Sequence, residues 1–253
     1  MSNLIACRVA SYGRFQERAW QHLPEIGVRF VEIPVPAPGE TAAVRQRLAD
    51  SGLQASSLQC RCDITSPDAV ETMKPQFDAC AELGARICFL SLKAGEADRA
   101  AVFRRIAALG DEAAKLDLLV AMETHPDLVS NGDVAAETMK AVDHPRVGVN
   151  YDTANVYYYN RGVDGVEELK KIVDHVVSVH LKETNGQYQD WHFPALGRGI
   201  VDFPEIFSVL NARGFTGPFT LELEGIKGVE LDEAGQLAEV ADSVAYLRRI
   251  GAM

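Results

Sequence analysis

LLVAMETHP (residues 118–126), VGVNYDTAN (147–155), VVSVHLKET (176–184) and PFTLELEG (218–225) are built to one plan. Each is a short aliphatic or β-branched run closed by a residue that can hold a metal: Glu123, Asp152, His180 and Glu222. A loop and then a helical pattern follow each run. Parallel strands connected by helices place their C-terminal ends on one face, and in a closed barrel these ends surround one mouth. Three carboxylates and an imidazole gathered there make a divalent-metal site. Singly, each residue reads equally well as a solvated loop residue or helix cap. Four in succession at equivalent places do not, because buried carboxylates without partners are costly.

The same alternation extends in both directions. Strand patterns at 4–10, 29–35, 54–64 and 86–92 precede the four quoted, giving eight. Helical patterns follow at 14–27, 40–52, 66–84, 96–117, 132–144, 162–175, 202–214 and 232–251. Apolar spacing near i, i+3, i+4 marks the helices, and short aliphatic runs mark the strands. Ser66 and Pro67 fit the N-cap and first position of the third helix, and Pro75 inside it predicts a kink or a break. Gly110 interrupts the fourth. An open doubly wound sheet has the same periodicity, but eight units and the ligand placement favour a single (β/α)8 TIM barrel over 1–253. No linker or low-complexity segment marks a second domain.

Composition limits the functional classes. The chain has 253 residues, 47% hydrophobic, with a formal net charge of −11. No Lys/Arg run offers phosphates a groove, so nucleic acid is not an expected partner. No apolar run approaches the roughly 20 residues that span a bilayer, and the N-terminus lacks a signal-peptide pattern. Five cysteines (Cys7, Cys60, Cys62, Cys80 and Cys88) without CxxC pairing suggest reduced core thiols and a cytoplasmic location. In the Cys60–Arg61–Cys62 alternation both sulfurs fall on one strand face. A homodimer is the default assembly. The oxygen-rich ligand set favours Mn²⁺ or Mg²⁺, and the imidazole keeps Co²⁺ and Zn²⁺ open.

METHPDLV, VGVNYDTAN, VVSVHLKET, PALGRGIVDFPEIFSVLNARGFTG and PFTLELEG together resemble the xylose-isomerase-like TIM-barrel superfamily. The resemblance is strongest over 118–225. It implies that Glu123, Asp152, His180 and Glu222 are the metal ligands. It also implies proton removal next to a carbonyl through an enediolate, by a sugar isomerase or epimerase acting on a keto sugar or polyol derivative. Glu123 and Glu222, from strands five and eight, then serve as the acid/base pair on opposite faces of the sugar. Ketose 3-epimerases commonly carry a histidine where this chain has Asn155, which counts against that particular reaction. The alternative is a metal-dependent lyase (a dehydratase, decarboxylase or oxo-glycoside cleaving enzyme) acting on an oxo-sugar or inosose. A multinuclear, histidine-rich endonuclease IV site fits poorly with six histidines and an acidic chain.

Several residues around this set are candidates for substrate binding. Glu32 closes strand two and either binds sugar hydroxyls or forms a salt bridge. His125, two residues past Glu123, shares its side of the strand; it contacts a hydroxyl or caps the loop. Asn155 follows Asp152. Lys182 shares the side of His180 and suits an oxyanion or an acidic substrate, while Glu183 points away. His192 and Arg198 lie in the long loop after strand seven; Arg198 is either an anion clamp or part of a GRG turn. Tyr157, Tyr158 and Tyr159 cannot all face one way. No Gly-rich phosphate cradle is apparent, so an unphosphorylated keto sugar or sugar acid is expected.

Overall fold

A computed structural model describes residues 3–253. Eight parallel strands close into a barrel: β1 (Leu4–Arg8), β2 (Phe30–Pro34), β3 (Gln54–Gln59), β4 (Ile87–Leu90), β5 (Leu119–Glu123), β6 (Val147–Asp152), β7 (Val176–Leu181) and β9 (Pro218–Leu221). The last strand closes the ring, with Phe219 paired to Val179 of β7 on one side and to Ile5 of β1 on the other. Every residue of β4, β6 and β9 is buried. Both faces of these strands are covered, as in the parallel wall of a barrel. One further pair is antiparallel and joins β8 (His192–Phe193), in the connection after β7, to β10 (Gly225–Ile226), in the connection after β9.

The outer helices are α1 (Ala19–Glu25), α2 (Thr41–Ser51), α3 (Ala69–Leu83), α4 (Arg99–Ala114), α5 (Gly132–Val142), α7 (Gly165–Ile172), α8 (Phe203–Ala212) and α9 (Glu233–Arg249). A short extra helix, α6 (Asn155–Tyr159), sits between β6 and α7. Side-chain caps fix most of the starts. Asp98, Asn131, Asp164, Asp202 and Asp232 each accept backbone N–H bonds from the first turn of α4, α5, α7, α8 and α9. Such caps satisfy amides that a helix cannot satisfy itself. No helix of the described residues is long and apolar enough to cross a membrane.

The structure corrects several local expectations. The first helix does not run over 14–27: Val9–Arg18 winds as 3-10 turns around Gly13, whose φ of 54° is outside the right-handed helical region, and α1 begins only at Ala19. Ser66 does not cap α3. Its hydroxyl accepts the Asp68 amide in a turn, and the helix starts two residues later than the Ser-Pro signal suggested. Pro75 does not break α3, which runs unbroken to Leu83. Gly110 does not interrupt α4 either; it lets the His144 ring pack so closely that a Cβ there would lie 2.2 Å from Nδ1. β3 ends at Gln59, so strand alternation does not govern Cys62. Cys60 is buried against Cys80 of α3, whose sulfur lies 3.2 Å from that of Cys88 in β4, whereas Cys62 is only half-buried. All five cysteines are free thiols.

Candidate metal centre

The barrel brings the four strand-end residues together. Glu123, Asp152, His180 and Glu222 are all buried, and one ligand atom from each lies within 4.8 Å of the others. His180 stands in the middle. Its Nδ1 faces Glu123 Oε1 at 3.1 Å and Glu222 Oε2 at 3.2 Å, while Phe89 of β4 lies against its ring at a centroid distance of 4.7 Å. Its other nitrogen, Nε2, lies 3.2 Å from Glu32 Oε2. Glu32 is in turn fixed by the Ser57 hydroxyl, which donates to the same oxygen at 2.8 Å. The imidazole is thereby oriented with Nδ1 towards the three other ligands, an arrangement typical of ligating histidines, whose second nitrogen is held by a carboxylate.

Asp152 divides its two oxygens. Oδ1 accepts the backbone amides of Ala154 and Asn155 at the start of α6. Oδ2 is buried and has no hydrogen-bond partner. Only the Lys182 ammonium, 3.7 Å away, approaches that oxygen, so a carboxylate oxygen without a hydrogen bond inside a ring of ligand atoms remains open to a cation. The donors are three carboxylates and one imidazole, which suits a hard or borderline divalent ion. The residues therefore fit the ion expected from the sequence.

Cations of the chain occupy the same neighbourhood. The Lys182 ammonium is buried, pairs with Glu224, and lies 3.4 Å from Glu222, 3.7 Å from Asp152 and 3.3 Å from the Asn155 amide oxygen. It also rests over the Phe193 ring at 4.5 Å. Arg8, at the end of β1, pairs through Nη1 with Glu222 Oε1. The charges shift one another. Burial alone would lower the His180 pKa, but the charge of Glu32 and the hydrogen bonds that the ring donates to Glu123 and Glu32 outweigh it and push it up to about 10. Burial likewise opposes ionisation of Glu32, yet His180, Arg8 and Ser57 bring it below the ordinary range. Burial raises Asp152 despite Lys182. Lys182 is raised, since Asp152 and Glu224 overcome its desolvation.

The remaining sequence candidates divide. Asn155 is buried and reaches Lys182. His125 stands outside the ligand ring: Nδ1 lies 3.1 Å from the Pro126 carbonyl oxygen and Nε2 2.6 Å from the Tyr159 hydroxyl. His192, in β8, lines the mouth cavity. Arg198 lies at the edge of that cavity with its guanidinium engaged by Glu239 and Asp242 of α9, so its clamp is already occupied. Glu183 points away from the ligands and accepts the amides of Thr184, Gly197 and Val201, fixing the loop. The three tyrosines separate: Tyr157 holds the Gly165 amide, Tyr158 packs on Trp191 and Phe193, and Tyr159 meets His125. Sequence reasoning passed over Arg8, Ser57 and Glu224. Arg8 had a signal in its place at a strand end equivalent to those of the four ligands, and Glu224 had one in standing two residues past Glu222, as Lys182 stands past His180.

Fold and site together define a (β/α)8 barrel with a candidate divalent-metal centre in its C-terminal mouth. Comparison with known proteins agrees. The profile of the family described as "Xylose isomerase-like TIM barrel" matches residues 20–250. The chain belongs to that family. A ketose 3-epimerase of Arthrobacter globiformis is 26% identical over 232 residues, covering 80% of this chain and 75% of its own. An inosose dehydratase of Geobacillus thermodenitrificans is 23% identical, with 74% of each chain covered. A xylose isomerase-like TIM barrel protein of Mycobacterium smegmatis, solved in complex with magnesium, superposes with a TM-score of 0.75 at 20% identity over 100% of this chain and 99% of its own.

Proposed function

We propose that this chain is a divalent-metal-dependent sugar isomerase or epimerase acting on a keto sugar or related polyol derivative. The observation that carries the reading is the ring of four buried residues whose ligand atoms lie within 4.8 Å of one another, with Asp152 Oδ2 lacking any hydrogen bond inside it. Glu123, Asp152, His180 and Glu222 would hold the divalent ion, which when bound would supply Lewis acidity at the substrate carbonyl. Mn²⁺ and Mg²⁺ suit the donor set best. Glu123 and Glu222 move the proton beside that carbonyl, one taking it and the other returning it. They come from the fifth and the last staves of the barrel, three positions apart around the ring, which lets them approach a bound sugar from different sides. Lys182 and Asn155 brace Glu222 and Asp152 from the α6 side. Glu32 and Ser57 orient the His180 ring.

A second reading, a lyase, shares the proton removal and then expels a β-hydroxyl. It is favoured by Asn155, which stands where the resemblance to ketose 3-epimerases leads one to expect a histidine, and by the match to an inosose dehydratase. One experiment separates the two. The Mn²⁺-loaded protein is incubated in D₂O with a panel of ketoses and inososes, and products are weighed by mass spectrometry. Isomerisation gives deuterium uptake without loss of water, and the lyase gives a product lighter by one water. Chelation should abolish either reaction, and Glu123→Gln or Glu222→Gln should slow it about 100-fold or more. Failure to bind a divalent ion, or a reaction indifferent to chelator, overturns the metal-dependent mechanism.

A further inference from the structure

Arg8 is placed as no other charged residue of the mouth is. It ends β1, between β2 and β9 in the closed ring, and its guanidinium lies between their acidic side chains. Nη1 meets Glu222 Oε1, but Nε lies 3.9 Å from Glu32 Oε1, too far for a hydrogen bond. Both atoms of that incomplete pair, Arg8 Nε and Glu32 Oε1, are buried without a partner. Beyond Nη1 the guanidinium therefore has no protein acceptor within hydrogen-bond distance among the described residues. The side chain is 17% exposed, and its open side faces a cavity of about 520 Å³ lined also by Ser11, Trp191, His192, Phe193 and Glu222.

The other cations of the mouth are committed. Lys182 is enclosed by Asp152, Glu222 and Glu224, and Arg198 is held by α9. Ser11 has spent its hydroxyl, which donates to the Leu221 carbonyl and accepts the Leu223 amide. With Nε buried and Nη1 on Glu222, Arg8 is left with the remaining N–H donors of its Nη edge uncommitted beside the cavity that it lines. Hydroxyls of a neutral sugar offer this fork single acceptors, and they already have carboxylates to donate to. A carboxylate offers two acceptors in the matching plane. Location narrows the choice further. Arg8 touches Glu222, so a group on its fork lies next to the atoms on which Glu222 acts. A terminal phosphate, several carbons from the reacting carbonyl, would lie elsewhere.

The geometry points to a keto sugar acid as the substrate class, its carboxylate adjacent to the reacting carbonyl and held by Arg8. This rests on the metal-dependent proton transfer proposed above. The carboxylate subsite is tested by equilibrium binding, independently of turnover. The Mn²⁺-loaded protein is titrated calorimetrically with 2-keto-D-gluconate, D-fructose and D-fructose 6-phosphate; the first two differ only in carboxylate against hydroxymethyl at C1. A charge-assisted fork should favour the acid over fructose by about 10- to 100-fold, with no comparable gain for the phosphate. In Arg8→Gln that preference should fall to within about threefold, and Arg8→Lys should keep part of it.

Equal or weaker binding of the acid, tightest binding of the phosphate, or no binding of any of the three overturns the subsite. So does a preference that survives in Arg8→Gln, which would assign the carboxylate to the ion alone. Mn²⁺ stoichiometry and the melting temperature show whether each variant is intact. If Arg8→Gln does not fold, the three-ligand comparison on the wild type still decides. A wild type that binds Mn²⁺ and exchanges deuterium into neutral ketoses without preferring the acid keeps the proposed reaction and loses only the substrate class. A wild type that binds no Mn²⁺ loses the reaction itself.

Discussion

Replacing Glu32 with glutamine tests how the imidazole at the centre of the ligand ring is held. The side chain is buried, Oε2 lies 3.2 Å from His180 Nε2, and the Ser57 hydroxyl donates to the same oxygen. Glutamine keeps the volume and one acceptor but loses the charge. At 3.2 Å, Coulomb's law with an effective dielectric constant near 20 gives about 5 kcal/mol between two unit charges. A ligating imidazole carries only part of a charge, and Glu32 is desolvated whether or not an ion is bound. The expected loss is thus smaller, about 10- to 100-fold in metal affinity, or ~1.4–2.7 kcal/mol. Calorimetric titration of the metal-free variant with Mn²⁺ at pH 9 reads it where protons on the ring compete least. Glu32 also raises the ring's pKa, so its removal eases deprotonation and the deficit should narrow towards pH 6. A change of less than threefold at pH 9 would refute the assignment of Glu32 as the group that orients His180.

Three further outcomes follow from the same charges. In the ion-free protein the His180 pKa is raised to about 10, so the ring is protonated across the neutral range, whereas a metal needs the free nitrogen. Ion binding should therefore release about one proton, with affinity rising about tenfold per pH unit between pH 6.5 and 9 and levelling near 10; titration in buffers of different ionisation enthalpy counts the proton, and a flat profile would contradict it. The same raised pKa contributes stability to the ion-free fold that is fully present below about pH 6.5 and is lost as pH rises through about 10. Lys182→Met should destabilise the ion-free protein by roughly 3–5 kcal/mol, because Asp152 and Glu222 lose a buried counter-charge. With saturating Mn²⁺ the deficit in melting temperature should shrink, since the ion takes over those carboxylates; an equal deficit with and without Mn²⁺ would show that Lys182 does not share them with the ion.

The clustering of the four candidate ligands was legible because each closes a strand of its own. Local alternation placed Glu123, Asp152, His180 and Glu222, and the count of eight units placed the runs on one circle. What escaped was non-local. The contact of Glu32 with His180 joins the second and seventh staves across the barrel, so strand two alone left a sugar contact and a salt bridge equally open. The partners of Arg198 arrive 41 and 44 residues later on α9, and nothing in GRG announces them. β8 and β10 have two residues each, too short for any period to show. The early turns failed for a different reason. RFQERAWQHLPEIG carries a helical pattern, but the left-handed Gly13 just before it holds the chain in 3-10 turns up to Arg18.

The pairing of β8 with β10 has a bearing on how such a barrel can be altered. It ties the loop that follows His180 to the loop that follows Glu222: the Gly225–Phe193 and Ile226–His192 partners bridge them, and the Lys227 amide donates to the Trp191 carbonyl. The Trp191 indole donates in turn to the Glu224 carbonyl. One side of the cavity wall is thus a single cross-linked piece contributed by two separate stretches of chain. Exchanging one loop with a relative would put all of these cross-loop backbone pairs at risk, because each needs both stretches. Redesign of specificity here should graft residues 183–201 and 223–231 together, or restrict itself to side chains such as Trp191 and His192 that project from the shared frame.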